Sequence, residues 1–260
     1  MIKAVVFDYG GTLVTELEPW SEVRPRAVRS AYGYLRSHGL RASLEEYIAI
    51  NRGVFERFAE REEIEHRDIP DTSKYIELVG ELIPGATKAR RRALALGANN
   101  TFWKVANSNF RLRGEAKRCL DDLESMELGL GLISNHHDGS ALMRSLRPYR
   151  ITQKFDPIVI SEKVGMRKPD PAIFMLCLSA MRVSPRQAVY VGDVPEFDVA
   201  GAKAAGMYSI LIGDKGRDGP KPDFAVKGME EIPPIVARLN GGMKDDKPAA
   251  RRRRQRSARS

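Results

Sequence analysis

The stretch that most restricts the fold is Ile2–Leu13, where the apolar run Ile2, Ala4, Val5, Val6 and Phe7 stops at Asp8 and is followed by Gly10-Gly11. An apolar, β-branched run broken by paired glycines reads as a buried strand ending in a loop. Strands buried on both faces belong to parallel sheets covered by helices, and ligands gather at the carboxyl ends of such strands. Asp8 is therefore predicted at a strand end, facing solvent or ligand, with glycines that let the backbone approach an anion or a metal. A strand-end Asp is also a common turn former, so its meaning depends on the rest of the chain.

After Leu13 the periodicity becomes helical. Pro25 is predicted to open a helix through Ala27, Val28, Ala31, Tyr32 and Leu35 that Gly39 stops. Ser43 and Glu46 have capping-box spacing ahead of a second helix with Leu44, Tyr47, Ile48, Phe55 and Phe58 on one face. A third helix follows Asp71 and ends at Pro84-Gly85, and a fourth lies within 86–106. No comparable strand pattern interrupts this region, so residues 15–110 are predicted to form a small helical bundle inserted directly after the first strand.

From Arg113 onward strands and helices alternate. Ala116, Cys119, Leu120 and Leu123 mark a helix, Leu128 to Ile133 a strand ending in Ser134-Asn135, and Pro157 to Ile160 another. Lys168-Pro169-Asp170-Pro171 precedes a helix through Ile173, Phe174 and Leu178. Ser184-Pro185 pairs an N-cap with a proline at the first helical position. Ala188 to Val191 is a strand ending in Gly192-Asp193, Asp198 is placed at the start of an Ala-rich helix closed by Gly206, and further strands fall at Tyr208 to Ile212 and Phe224 to Val226. This order predicts an α/β fold, a parallel sheet with helices on both faces, built from 1–14 and 111–240 around the helical insert.

Charge is unevenly placed. The formal net charge is +9, but residues 241–260 hold eight Lys and Arg against Asp245 and Asp246, leaving only +3 for the body. A Gly-, Ala- and Arg-rich segment with little to bury is predicted to be disordered, available for weak non-specific contact with nucleic acid or anionic surfaces. No apolar run is long enough to span a membrane and the chain starts on a strand, so neither a membrane segment nor a signal peptide is expected. Only Cys119 and Cys177 occur, both in apolar helical patterns, which argues for a reducing cytoplasm and against disulfides. His38, His66, His136 and His137 lack zinc-ligand spacing.

Asp8, Ser134, Lys168, Asp193 and Asp198 each end a strand or open the following helix, so the fold would gather them at one sheet edge. Three carboxylates with a hydroxyl and a lysine suit a hard cation such as Mg²⁺ together with a phosphate. The segments FDYGGTL, LISN, GMRKPDPAIF and YVGDVPEFDVAGAKAAGM resemble, in order and spacing, the four motifs of the haloacid dehalogenase superfamily. The helical insert is similar to that superfamily's cap between its first and second motifs. The resemblance implies a Rossmann-like core under a helical cap, and a hydrolase in which Asp8 is the nucleophile of an aspartyl-phosphate intermediate. It also implies that Ser134, Asn135 and Lys168 hold the phosphoryl group. Mg²⁺ would then be bound by Asp8, the Gly10 carbonyl, Asp193 and Asp198. The expected substrate is a small phosphorylated metabolite.

One position departs from the pattern. Phosphatases of the superfamily place a second Asp two residues after the nucleophile, as general acid and base, and here that residue is Gly10. Losing such a group costs on the order of 10²–10⁴ in rate. Three classes follow: a phosphatase using an acidic leaving group or a replacement such as His136, His137 or a cap residue; a dehalogenase-like or phosphonatase-like hydrolase; and a non-catalytic phosphate-binding protein. The paired Asp193 and Asp198 favour the first, since dehalogenation uses no metal, and a phosphonatase would need a cap lysine that no motif singles out.

Overall fold

A computed structural model describes residues 1–65, 67–213 and 219–241. Of the basic segment 241–260, for which the sequence predicts disorder, residues 242–260 lie outside the described residues, as does His66, while Gly241 ends the last helix. Among the described residues no helix is long and apolar enough to cross a membrane.

The first strand, β1 (Ala4–Phe7), is wholly buried at the centre of a six-stranded parallel sheet. The two chain directions diverge from it: β4 (Gly129–Ser134) and β5 (Ile158–Ile160) continue to one side, and β6 (Ala188–Gly192), β7 (Tyr208–Ile212) and β8 (Phe224–Val226) to the other. β1 pairs in parallel with both neighbours, Ala4 opposite Gly129 and Ala188. The order therefore reverses between β1 and β6, and a crevice opens beyond their carboxyl ends, where such folds bind ligands.

Alternation along β1 explains why it reads as a continuous apolar run. Val5 and Phe7 enter one core layer with the apolar faces of α5 (Ala116–Ser125) and α10 (Ile232–Gly241). Ala4 and Val6 enter the opposite layer with α8 (Pro171–Met181) and the short α9 (Ala200–Ala204). Helices thus cover both faces, as parallel pairing requires. Local signals set the helix ends: Asp170 caps α8 by accepting the Ala172 N–H at 2.8 Å, with Pro171 as its first residue. Gly206, at φ +82°, ends α9 in the left-handed region.

Four helices intervene after β1: α1 (Trp20–Ser37), α2 (Leu44–Glu65), α3 (Asp71–Leu82) and α4 (Lys88–Asn107). They share a separate apolar cluster that includes Leu35, Tyr47, Tyr75, Leu78 and Phe102. The Ser43–Glu46 capping box forms, each side chain meeting the other residue's backbone N–H at 3.2 Å. Two expectations are corrected. Helix α1 starts five residues before Pro25, which lies inside it and forgoes one hydrogen bond to the preceding turn. The helical stretch is also bounded by strands: β2 (Val14–Glu16) and β3 (Phe110–Leu112) pair antiparallel, Val14 opposite Leu112. Three-residue strands are too short to show a period-2 pattern.

The remaining helices, α6 (Gly139–Leu146) and α7 (Ser161–Val164), follow β4 and β5. Asp138 caps α6 by accepting the Ala141 N–H at 2.8 Å, and α6 packs beneath α4.

Candidate active site

Asp8 immediately follows β1, Asp193 immediately follows β6, and Ser134 is the last residue of β4. All three line a cavity of about 690 Å³ at the carboxyl edge of the sheet, together with Asn135, Lys168 and Asp198. The strand register thus brings together residues that lie up to 190 positions apart in sequence.

Lys168 sits on the loop between α7 and α8, and its ammonium, almost fully buried, organises the polar floor. Nζ donates to Asp8 Oδ1 at 2.6 Å, to Asp198 Oδ1 at 2.6 Å and to the Tyr190 hydroxyl at 3.0 Å. Asn135 fixes the main chain of Lys168 from both sides: its Oδ1 accepts the Lys168 N–H at 2.9 Å and its Nδ2 donates to the Lys168 carbonyl at 3.0 Å.

Asp198 stands just before the Ala-rich helix, close to where the sequence places that helix's start. It lies in a π-helical turn, Pro195–Val199, and its carboxylate turns back toward the sheet. Oδ2 accepts the N–H groups of Asp193 and Val194 at 3.0 and 2.9 Å, while Oδ1 receives Lys168 and the Tyr190 hydroxyl at 2.6 and 3.2 Å. With two donors on each oxygen, its acceptor sites are filled.

The carboxylates of Asp8, Asp193 and Asp198 are buried and have oxygens within 4.8 Å of one another. Burial raises Asp8 to about 7, Lys168 opposes that shift, and the neighbouring carboxylates Asp198 and Asp193 add to it. Burial also works against the charge of Lys168, but Asp8 and Asp198 outweigh it and hold the ammonium above its ordinary value. A cluster of oxygen donors with more negative than positive charge fits a hard divalent cation such as Mg²⁺.

Neighbouring glycines play different parts. Gly11 has φ +78°, and a Cβ there would fall 2.2 Å from Asp193 Oδ2, so the loop closes only over a glycine. Gly10 has neither constraint, since a Cβ at that residue meets nothing within 4 Å. Gly11→Ala is expected to cost about 1–2 kcal/mol from the left-handed backbone alone and to displace Asp193. Urea unfolding with Mg²⁺ calorimetry checks this: an unchanged midpoint and affinity would contradict the close approach.

The two histidines beside Ser134 are unlike each other. His136 is buried against Trp103, ring centroids 4.5 Å apart, and its Nδ1 accepts the Asp138 N–H at 3.0 Å. Burial pushes it down to about 4, so it stays neutral. His137 Nδ1 lies 3.2 Å from Glu62 Oε1 and 3.3 Å from Lys74 Nζ. Burial disfavours its charge, but the Glu62 carboxylate more than offsets this and holds it above the ordinary value.

Sequence reasoning did not find the residues that helices and loops of the insert add to the cavity. Trp20 of α1, Asp68 of the α2–α3 loop and Trp103 of α4 line it, with Glu16 and Phe110 from the paired short strands and Arg113, Arg167 and Phe197 from the core. Asp68 ties insert to core, pairing with Arg167 at 3.1 Å and accepting from the Ser161 hydroxyl. Arg167 and Phe197 lie within the segments GMRKPDPAIF and YVGDVPEFDVAGAKAAGM, but no local pattern marks them as lining residues; the others stand in no motif, and only the tertiary fold brings them all to one place.

Comparison with known proteins gives a consistent assignment. Over 248 residues the chain is 27% identical to a glyceraldehyde 3-phosphate phosphatase of Methanopyrus kandleri, covering 92% of this chain and 99% of the relative. It is 32% identical over 161 residues to a phosphoserine phosphatase of Thermus thermophilus, covering 57% and 64%. In fold it resembles a crystal structure of a 2-haloacid dehalogenase from Pseudomonas syringae, with a TM-score of 0.69 at 24% identity, covering 92% of this chain and all of that one. The family model for haloacid dehalogenase-like hydrolases matches residues 2–206, and the chain is a member of that hydrolase family.

Proposed function

We propose that this hydrolase is a Mg²⁺-dependent phosphatase that acts on a small phosphorylated compound through an aspartyl-phosphate on Asp8. The observation that carries this reading is the placement of Lys168 Nζ 2.6 Å from both Asp8 Oδ1 and Asp198 Oδ1, beside the other carboxylate of the cluster. The names of the two sequence relatives support it.

Asp8, Asp193 and the Gly10 carbonyl would hold Mg²⁺, while Asp198, its acceptor sites filled, supports them from behind by fixing Lys168 and the Asp193 backbone. The bound ion would neutralise the repulsion between carboxylate and phosphate. An Asp8 oxygen attacks phosphorus in line with the leaving oxygen, the phosphorus–oxygen ester bond breaks, and the alkoxide departs. Lys168 and Ser134 hold the non-bridging oxygens, and Asn135 keeps Lys168 in position. Water then attacks phosphorus, releasing phosphate and restoring Asp8.

The alternatives lose ground on specific observations. Dehalogenation has no use for the buried carboxylates Asp193 and Asp198. A phosphonatase-like reaction needs a free amine from the insert, and the buried lysine there, Lys74, is ion-paired to Glu62 at 2.9 Å and Asp71 at 3.2 Å. A non-catalytic role leaves the Asp8–Lys168 contact without a purpose.

Titration calorimetry is expected to show one Mg²⁺ per chain and an affinity lowered at least about tenfold in Asp193→Asn, since an amide replaces an anionic ligand. Unchanged affinity would remove Asp193 from the site. Mg²⁺-dependent hydrolysis of acetyl phosphate tests the reading as a whole, and the absence of hydrolysis of any phosphate ester or acyl phosphate would overturn it.

A further inference from the structure

The cavity above Asp8 is larger than a phosphoryl group with a short carbon chain requires, and about 690 Å³ is typical of pockets that enclose drug-sized ligands. Aromatic side chains stand among the charged and polar residues of its lining. Trp20 and Trp103 come from the insert, Phe110 from β3 and Phe197 from the π-helical turn. Phe197 is 41% exposed, which is unusual for a phenylalanine with a core beside it. Resting on the phosphatase reading above, we infer that this aromatic wall is a leaving-group subsite for an uncharged aromatic ring, so that the substrates are phosphomonoesters of phenols.

The charges around the cavity favour a neutral leaving group over one carrying a second anion. Among the described lining residues, each cation already has an acceptor, Lys168 included. Arg167 is paired with Asp68 at 3.1 Å. Arg113 donates to the carbonyls of Gly11 and Thr12 at 2.6 and 2.8 Å. His137 is paired with Glu62 at 3.2 Å. Glu16 adds a negative charge at the rim. A second phosphate or a carboxylate on the leaving group would meet that charge and would have to compete with the acceptors these cations already hold. A ring meets the faces and edges of indoles and phenyl groups, which attract π-systems beyond simple area burial.

The missing acid points the same way, independently of the wall. Gly10 carries no carboxyl group to protonate the departing oxygen, and His136 is neutral, with Nδ1 engaged by a backbone N–H. A phenolate, whose conjugate acid has a pKa of about 10 like the tyrosine side chain, leaves without prior protonation far more readily than an alkoxide. The balanced sequence is aryl phosphate plus the Asp8 carboxylate giving aspartyl-phosphate and phenolate, which takes its proton from solvent. Water then gives inorganic phosphate and free Asp8.

The test compares 2-naphthyl phosphate, ethyl phosphate and acetyl phosphate with the full-length Mg²⁺-loaded protein, since acetyl phosphate is activated but has no ring. The inference expects kcat/KM for the naphthyl ester to exceed that for the ethyl ester by at least about 10². Trp20→Ala is expected to lower the naphthyl value about tenfold, mainly through KM, to leave acetyl phosphate within about twofold, and to be rescued by Trp20→Phe. If Trp20→Ala does not fold, Phe197→Leu, which alters an exposed side chain, carries the same comparison. Hydrolysis of acetyl phosphate with equal rates on the two esters, or with both activated substrates equally impaired by the variants, overturns the subsite and leaves the phosphatase standing. No hydrolysis of any of the three overturns the phosphatase and the subsite with it.

Discussion

Asp8→Asn is expected to fold, to lose turnover by at least about 10³, and, without metal, to melt above the wild-type protein at pH 8. The loss follows from the role proposed for Asp8 as nucleophile, because an amide is close to isosteric with a carboxylate but does not attack phosphorus. The stability gain follows from burial. Asp8 in the fold is raised to about 7 from an ordinary 3.8, so between those values the native state holds a proton that the unfolded chain has released. Stability therefore falls as pH rises through that window. The amide mimics the protonated carboxyl at every pH, so the gap between variant and wild type is expected to shrink toward pH 4. Denaturant titrations at pH 5 and pH 8 in chelator check the sign. A variant that is less stable than wild type at pH 8 would mean that Lys168 more than compensates the burial of Asp8.

Gly10→Asp is expected to raise hydrolysis of alkyl phosphates by up to about 10²–10⁴ while changing activated aryl phosphates much less. An Asp at this residue supplies the proton that an alkoxide needs and a phenolate does not. Strain at Gly10 is a reasonable concern from the paired glycines, yet the structure removes it. The left-handed backbone and the tight approach both belong to Gly11, whereas a Cβ at Gly10 has open space. The substitution therefore tests chemistry without disturbing the loop. A folded Gly10→Asp protein that binds Mg²⁺ but gains nothing on ethyl phosphate would show that another group already serves as the acid.

The contrast between the two glycines illustrates what the sequence makes legible. A strand buried on both faces needs an unbroken apolar run, so β1, β6 and β7 declare themselves, and with them Asp8 and Asp193 at their ends. Ser134 and Lys168 are legible for the same reason, because each adjoins a strand or helix boundary. Asp198 is legible in position, but only the π-helical turn carries its carboxylate back to the Asp193 and Val194 amides. Tyr190 is hidden inside β6, where its ring reads as core and its hydroxyl gives no sign of meeting Lys168 and Asp198. The pairings Asp68–Arg167 and Glu62–His137 join the helical insert to the core across 99 and 75 positions, a separation that no local pattern encodes. The start of α1 is missed because Pro25 is usually a first-turn residue, and here the six-residue reach from Trp20 is sustained by buried Val23, Ala27 and Ala31.

The insert contacts the core through buried polar pairs as well as the stacking of Trp103 on His136. Asn99 Nδ2 donates to Asp138 Oδ2 at 2.6 Å, and the Asp71 N–H donates to the His137 carbonyl at 2.9 Å. Breaking a buried pair leaves an unsatisfied group, so these contacts hold the insert in place beside the Asp8 cavity.

On the proposed mechanism, Asp8 carries the phosphoryl group during turnover. Rapid acid quench of the wild-type protein with Mg²⁺ and acetyl phosphate, followed by intact-mass and peptide mass spectrometry, tests it directly. A mass gain of one phosphoryl group is expected, located at Asp8, lost on hydroxylamine treatment and absent without Mg²⁺ or in Asp8→Asn. Steady turnover with no phosphorylated species, or with the phosphoryl group on another residue, would contradict it.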